Sequence, residues 1–187
     1  MKKSQILTTS LIITILITTG LLSGCTTSTN ENDNGENFKF ALLDGTTAEL
    51  NDYRGKIVIL DLWATWCSPC QYQMLELKKA YETYSRDDLE ILSINVESRE
   101  SNTDIENFLN QFEEYDYDLE WVFGNEIDDT KKYKQKPDSG IPSICFFDRN
   151  GEVIFKHVGV MMFDELPEGW TGDETLLKEK IDEFIIQ

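Results

Sequence analysis

Residues 57–70 read IVILDLWATWCSPC, an apolar run that leads into a Cys-x-x-Cys pair, Cys67 and Cys70. The run 57–63 predicts a buried strand, and the apolar positions after Cys70 recur with helical spacing. Cys67 would then stand at a helix start, where unpaired backbone N–H groups and the helix dipole stabilise a thiolate. Cys70 follows about one turn later, within reach of a disulfide. Pro69 suits the first helical turn because it has no N–H. The stretch therefore predicts a redox-active dithiol.

A zinc site is the alternative function for a Cys-x-x-Cys pair. Such a site needs four ligands and usually a second Cys or His pair. The remaining candidates are Cys25, Cys145 and His157, and each stands alone in the sequence. Cys145 lies in an apolar run that favours core packing, and we expect His157 at the surface or half-buried on a strand. We therefore expect no metal site and no cofactor besides the dithiol.

The N-terminal residues have the pattern of an export signal. Two lysines precede a largely apolar run over 6–22, and residues 22–25 read LSGC. The pattern predicts a signal peptide over 1–24, and its end resembles a bacterial-type lipobox, which implies cleavage before a lipidated Cys25. An uncleaved membrane anchor is the alternative, because the run is near the lower length limit for spanning a bilayer. Both alternatives predict a domain on the outer face of the cytoplasmic membrane.

The composition separates a tether from a folded part. Residues 26–37 contain no apolar side chain, so 25–37 is predicted to be the lipidated cysteine and a flexible polar tether. The folded part is then 38–187, which is long enough for one core. The chain has 35 acidic residues against 17 basic ones, a net charge of −18. This charge argues against nucleic acid and anionic lipid head groups as partners, serves solubility and favours basic clients.

The rest of the chain predicts an α/β fold with a mixed central sheet flanked by helices. An N-terminal hairpin turns at Asp44-Gly45, an inserted helix and strand lie between 101 and 123, and a second hairpin turns at Asn150-Gly151. The predicted strands are 38–43, 47–50, 57–63, 89–96, 119–123, 144–147 and 152–158. The predicted helices run from the Cys67 turn to about 86–88 and over 101–114, 128–135 and 174–186.

The chain resembles the thioredoxin superfamily, and within it the membrane-tethered TlpA/ResA/DsbE-like branch. The resemblance covers 38–187 and rests on the Trp-Cys-Ser-Pro-Cys turn at 66–70, the strand ending DLWAT at 61–65, the Gly-Ile-Pro segment at 140–142 and the final hairpin and helix. It implies a thioredoxin fold and protein-disulfide oxidoreductase activity.

The same resemblance implies two substrate-binding features. Pro142 would be a cis-proline beside the dithiol, where the Ile141–Pro142 backbone pairs with an extended client. Trp66 would cover the disulfide and contact the client. The alternatives are an ordinary loop proline and an aromatic side chain that only packs.

Asp61 is the candidate proton acceptor. It interrupts an apolar strand, with Ile59 and Trp63 on the same face. A carboxyl group there would be desolvated, which raises its pKa and suits it to deprotonate Cys70. The alternatives are a solvated strand edge or a structural hydrogen bond. Members of the branch often have a Glu three residues after the second Cys, where this chain has Gln73, and an Asn at the position of Asp61. We infer that the proton acceptor has moved to Asp61.

Together these features predict a monomeric, membrane-anchored thiol–disulfide oxidoreductase. Cys67 would attack a client disulfide and Cys70 would resolve the mixed disulfide. No His lies between the cysteines as in oxidising DsbA-like enzymes, so we expect a reductant supplied by an upstream membrane electron donor. By family analogy the clients include apocytochrome c and mispaired extracytoplasmic proteins. A peroxiredoxin-like peroxidase and a Sco-like copper-binding chaperone stay open as alternatives, although Cys67 lacks the first family's motif and the second uses Cys-x-x-x-Cys.

Overall fold

The computed structural model describes residues 35–115 and 117–186. Its strands are β1 Lys39–Leu42, β2 Thr47–Glu49, β3 Ile57–Trp63, β4 Leu89–Asn95, β5 Val122–Glu126, β6 Ser143–Phe147 and β7 Val153–Val158. Its helices are α1 Ser68–Thr83, α2 Asn102–Glu113 and α3 Leu177–Ile185, with 3₁₀ turns at Leu50–Tyr53 and Thr130–Tyr133. Within these residues the strands form a seven-stranded sheet in the order β2-β1-β5-β4-β3-β6-β7.

Strand β3 lies inside the sheet and carries the site. Every residue of β3 is buried, and its neighbours are β4, which runs parallel, and β6, which runs antiparallel. Successive side chains point to opposite faces. The odd-numbered apolar residues of β3 pack with α1, α2 and α3 in one cluster, and the even-numbered ones form a second cluster on the other face. Burial on both faces explains why the strand is almost wholly apolar.

The predicted mixed α/β fold is confirmed, including the β1–β2 hairpin and the inserted α2–β5 element. The second hairpin turns at Asn150-Gly151 as predicted, and Gly151 has a φ of +78° there. Residues with a Cβ rarely adopt such a φ, so the turn favours glycine.

Several predicted boundaries were wrong for identifiable reasons. Strand β5 lies three residues later than the apolar pattern indicated, because Gly124, Asn125 and Glu126 pair with β1 although they are not hydrophobic. Helix α3 begins at Leu177 rather than 174, since the N–H groups of Leu177 and Lys178 donate to the carbonyls of Met162 and Phe163. Helix α1 ends at Thr83 rather than near 88, and the predicted helix 128–135 is only the short 3₁₀ turn.

The predicted signal peptide, Cys25 and most of the predicted tether 25–37 lie outside the described residues. Among the residues that are described, no helix combines the length and the apolar character needed to cross a bilayer.

Candidate active site

The two cysteines form a disulfide at the N-terminus of α1. Their sulfurs are 2.06 Å apart and their Cα atoms 5.2 Å apart. Cys67 is the N-cap residue, and its sulfur accepts a hydrogen bond of 3.2 Å from the backbone N–H of Cys70. The same N–H would stabilise a thiolate on Cys67 in the reduced protein. Both cysteines are buried, but Cys67 retains 4% of its surface whereas Cys70 retains none.

The Ile141–Pro142 peptide bond is cis, as the resemblance implied. Pro142 is buried and directly precedes β6, whose first residue, Ser143, pairs with Leu62 of β3. This register brings the proline to the end of β3 from which the chain enters the Cys67 turn. The carbonyl of Pro142 accepts a hydrogen bond of 2.9 Å from Gly159 of the neighbouring chain segment. The structure therefore brings the cis-proline and the disulfide to the same end of the central strands.

Trp66 stands on the surface beside the disulfide. The side chain is 64% exposed, which rules out a core packing role. Its indole N–H donates to Glu97 Oε2 at 3.3 Å. Glu97 is also bonded by Arg99, and this contact is the main reason why the Glu97 pKa falls to about 2. The ring is thus held by a charged side chain while its face stays open to solvent.

The carboxylate of Glu100 holds the turn before Cys67, and the sequence did not predict this role. Glu100 accepts hydrogen bonds from the Thr65 backbone N–H at 3.1 Å and from the Thr65 hydroxyl. It also accepts from the side-chain amide of Asn95 at the end of β4. Glu100 therefore ties the redox turn to the sheet. The spacing of Glu100 from Asn95 in the loop after β4 carried no signal of this contact.

Asp61 is fully buried on the β3 face that packs with both cysteines. Its Oδ2 accepts a hydrogen bond of 2.8 Å from the Ser93 hydroxyl, and the Ser93 oxygen accepts one of 2.9 Å from the indole of Trp121. Among the described residues Asp61 Oδ1 has no hydrogen-bond partner. Burial raises the Asp61 pKa to about 7, whereas the hydrogen bond from Ser93 has a smaller effect that lowers this pKa.

These contacts exclude a solvated edge for Asp61 and add a structural hydrogen bond to it. The Ser93 bond occupies one carboxyl oxygen and leaves the other available for a proton. A carboxyl group with a pKa near 7 is matched to proton transfer at neutral pH. Ser93 and Trp121 could not be found from the sequence without the β3–β4 register, which pairs Asp61 with Ser93.

Gln73 is buried and makes two bonds to one backbone residue 88 positions away. Its Oε1 accepts from the Met161 N–H at 2.7 Å, and its Nε2 donates to the Met161 carbonyl at 3.3 Å. One turn later Glu76 Oε2 accepts from the Phe163 N–H at 2.7 Å. A side-chain amide can donate to and accept from the same peptide group, which an ionised carboxylate cannot do, so these two bonds suit Gln at position 73.

The two remaining candidates, Cys145 and His157, are both buried. Cys145 packs in the cluster on the other face of the sheet, and burial raises its pKa to about 12. The prediction of core packing is confirmed. The prediction of a surface or half-buried His157 was wrong, because the ring is only 5% exposed in the strand beside β6. Within the described part of the chain no cluster of three or more metal-ligand side chains occurs.

Comparisons with known proteins agree with this geometry. A model of the AhpC/TSA family matches residues 32–156. The chain is 30% identical over 178 residues to the thiol-disulfide oxidoreductase ResA of Bacillus thuringiensis subsp. konkukian, which covers 90% of this chain and 96% of that protein.

Two solved structures are similar as well. The thiol:disulfide interchange protein DsbE of Chlorobium tepidum has a TM-score of 0.56 and 25% identity, covering 67% of this chain and 83% of that one. The exposed lipoprotein thioredoxin Etrx1 of Streptococcus pneumoniae has a TM-score of 0.50 and 26% identity, covering 67% and 91%. The chain therefore belongs to the AhpC/TSA family, in its TlpA/ResA/DsbE-like branch, and is a thiol–disulfide oxidoreductase whose clients are disulfide-bearing proteins.

Proposed function

We propose that this protein is a lipid-anchored, monomeric reductase that acts on client disulfides outside the cytoplasmic membrane. The observation that carries the proposal is the position of Cys67, the less completely buried cysteine, which caps α1 and accepts a hydrogen bond from the Cys70 N–H. A sulfur in this position is stabilised as a thiolate and is the natural nucleophile.

The proposed reaction has two exchange steps. The Cys67 thiolate attacks one sulfur of the client disulfide, a Cys67–client disulfide forms, and the other client sulfur leaves as a thiolate. Cys70 then loses its proton to the Asp61 carboxylate and attacks the Cys67 sulfur. The Cys67–Cys70 disulfide forms and the second client thiolate leaves. The client gains two electrons, and the dithiol supplies them without a further cofactor.

Trp66, Ile141 and Pro142 have the proposed role of holding the client. The exposed Trp66 ring and the backbone beside the cis-proline stand at the same end of the central strands as the disulfide. An extended client segment could lie across that end of the strands, with its disulfide against Cys67 and its backbone paired with the backbone beside the cis-proline.

The direction of electron flow follows from the turn between the cysteines. Ser68 and Pro69 supply no positive charge that would stabilise the reduced Cys67 thiolate as strongly as in an oxidant. An upstream membrane dithiol would then restore the reduced protein. Export and lipidation at Cys25 rest on the LSGC sequence at 22–25 and on the similarity to a streptococcal lipoprotein. Apocytochrome c is one proposed client.

The reduction potential tests the proposed direction. The protein is equilibrated in thiol–disulfide buffers, and the fraction oxidised is measured by alkylation and mass. We expect a potential nearer to that of thioredoxin, about −270 mV, than to that of DsbA, about −120 mV. A potential above about −180 mV, in the range of disulfide-forming catalysts, would contradict a reductant. Turnover of hydrogen peroxide without any protein client would support the peroxidase alternative instead.

A further inference from the structure

An open pocket of about 390 Å³ lies beside the start of α1 and is not used by the exchange reaction. Pro69 and Tyr72 of α1 form one wall, and the other is formed by the segment that joins β7 to α3. That segment, residues 160–174, contributes Val160, Met162, Pro167 and Trp170. Since Pro69 is two residues from Cys67, the pocket adjoins the redox centre and is lined mainly by apolar side chains.

The wall formed by the 160–174 segment is fixed in place before any partner binds. The bonds of Gln73 to Met161 and of Glu76 to Phe163 hold alternate residues of the 160–174 segment against α1. Met161 and Phe163 are buried by this attachment, while Val160 and Met162 line the pocket. A preformed apolar surface loses little conformational freedom when a side chain enters it.

Trp170 is held in the same way. Its indole N–H donates to the Asp173 carbonyl at 2.9 Å. A Cβ on Gly172 would lie 2.7 Å from the ring, so the ring packs directly over a residue without a side chain. The aromatic wall of the pocket is therefore fixed by a hydrogen bond and by close packing.

The 160–174 segment that forms this wall is strongly acidic, and its exposed carboxylates are called the acidic rim. The 160–174 segment contains five carboxylates and no Lys or Arg, and all five are exposed: Asp164, Glu165, Glu168, Asp173 and Glu174. Lys79 on α1 and Lys178 on α3 are in ion pairs with Glu76 and Asp182. An apolar pocket with an acidic segment as one wall is complementary to an apolar side chain flanked by basic residues.

Building on the proposed function, we propose that this pocket selects the client. It receives a long apolar side chain close to the client cysteine in sequence, since the pocket is lined by Ser68 and Pro69, which directly follow Cys67. The acidic rim attracts Lys or Arg on the same extended segment. The substrate class is thus a basic polypeptide segment with an apolar residue next to its disulfide.

Three synthetic peptides test this selectivity. Each carries one cysteine as a mixed disulfide with 2-nitro-5-thiobenzoate, so attack by the Cys67 thiolate on the peptide sulfur releases a coloured thiolate. The first peptide has Lys residues and a Leu beside the cysteine, the second has Ala in place of Leu, and the third has Glu in place of Lys. The small disulfide of the same chromophore measures the basal exchange rate.

The reduced protein should react about tenfold faster with the Lys-Leu peptide than with the Glu-Leu peptide at low salt. This ratio should approach one at high salt, because exposed charges are screened. The Lys-Ala peptide should react about fivefold more slowly than the Lys-Leu peptide, since it buries fewer methylene groups.

Two variants separate the two contributions. Neutralising Asp164, Glu165 and Glu168 together to Asn and Gln should remove most of the charge preference and keep the Leu preference. Met162→Ala should reduce the Leu preference and keep the charge preference. The matched control neutralises three exposed carboxylates outside the segment, Glu106, Asp138 and Glu152, and should change neither.

Equal rates for the three peptides with normal attack on the small disulfide would overturn the pocket and leave the proposed function standing. A loss of charge preference in the control triple variant equal to that in the rim variant would also overturn it. If the small disulfide itself is not attacked through Cys67, the proposed function fails first.

Discussion

The free energy of unfolding of Asp61→Asn, relative to that of the parent protein, should increase as the pH rises. Asp61 is an acid whose pKa in the folded state, about 7, exceeds its ordinary value of 3.8. Folding therefore favours the protonated form. Ionisation of Asp61 therefore destabilises the folded parent protein. This destabilisation is absent below pH 3.8, grows as the pH rises towards 7 and is complete above about pH 7.

The size of the effect follows from these two pKa values. The raised pKa of Asp61 lowers the free energy of unfolding of the parent by about 2 kcal/mol at pH 5 and by about 4 kcal/mol at pH 8. Asn can still accept the Ser93 hydrogen bond, but its N–H₂ group replaces Oδ1, which has no partner among the described residues. The unpaired N–H₂ group destabilises the variant by about 1–3 kcal/mol at every pH. This contribution cancels when the stabilities at two pH values are compared. The variant should gain about 2–3 kcal/mol relative to the parent between pH 5 and pH 8.

Urea unfolding of the oxidised parent and of Asp61→Asn at pH 5 and pH 8 measures this difference. Asp87→Asn, at an exposed carboxylate, is the matched control and should give a constant difference from the parent. If the Asp61→Asn difference is also constant between the two pH values, the carboxyl group titrates at its ordinary pKa. The reasoning that makes Asp61 a proton acceptor at neutral pH would then fail.

Three further predictions concern catalysis and localisation. Asp61→Asn should slow resolution of a mixed disulfide near neutral pH and flatten its pH dependence, while the first attack by Cys67 stays intact. An unchanged profile would return Asp61 to a structural role. Gln73→Ala should lower the free energy of unfolding by about 2–4 kcal/mol, because both backbone groups of Met161 lose a partner. It should leave the pH midpoint of resolution in place, and a shifted midpoint would contradict the assignment of proton transfer to Asp61. Cys25→Ala should abolish incorporation of labelled lipid and leave the export segment uncleaved, whereas continued lipid labelling would refute lipidation at Cys25.

Much of the central architecture follows from the sequence because it depends on local patterns. The bounds of β3 were predicted correctly, since burial on both faces makes the strand continuously apolar. The same alternation put Asp61 on the face of Ile59 and Trp63, where the structure also has it. The Cys67 cap and the cis bond before Pro142 needed only the motif and the resemblance.

The missed features depend on contacts between distant parts of the chain. The Ser93–Asp61 bond requires the register of β3 against β4. The bonds between Gln73 and Met161 join residues 88 positions apart, and no periodicity indicates which loop meets which helix turn. The late start of α3 has the same origin, because the N–H of Leu177 is bonded to the carbonyl of Met162.

The central claim is that Cys67 attacks the client and Cys70 resolves the intermediate. Trapping of mixed disulfides tests it most directly, with reduced Cys70→Ser and Cys67→Ser exposed to the same disulfide-bearing client and separated without reductant. Cys70→Ser should accumulate a disulfide-linked complex with the client, because the resolving thiol is missing. Dithiothreitol should reduce this disulfide and separate the two proteins. Cys67→Ser should form none, since the remaining thiol is fully buried. A stable complex with Cys67→Ser and none with Cys70→Ser would contradict the assignment.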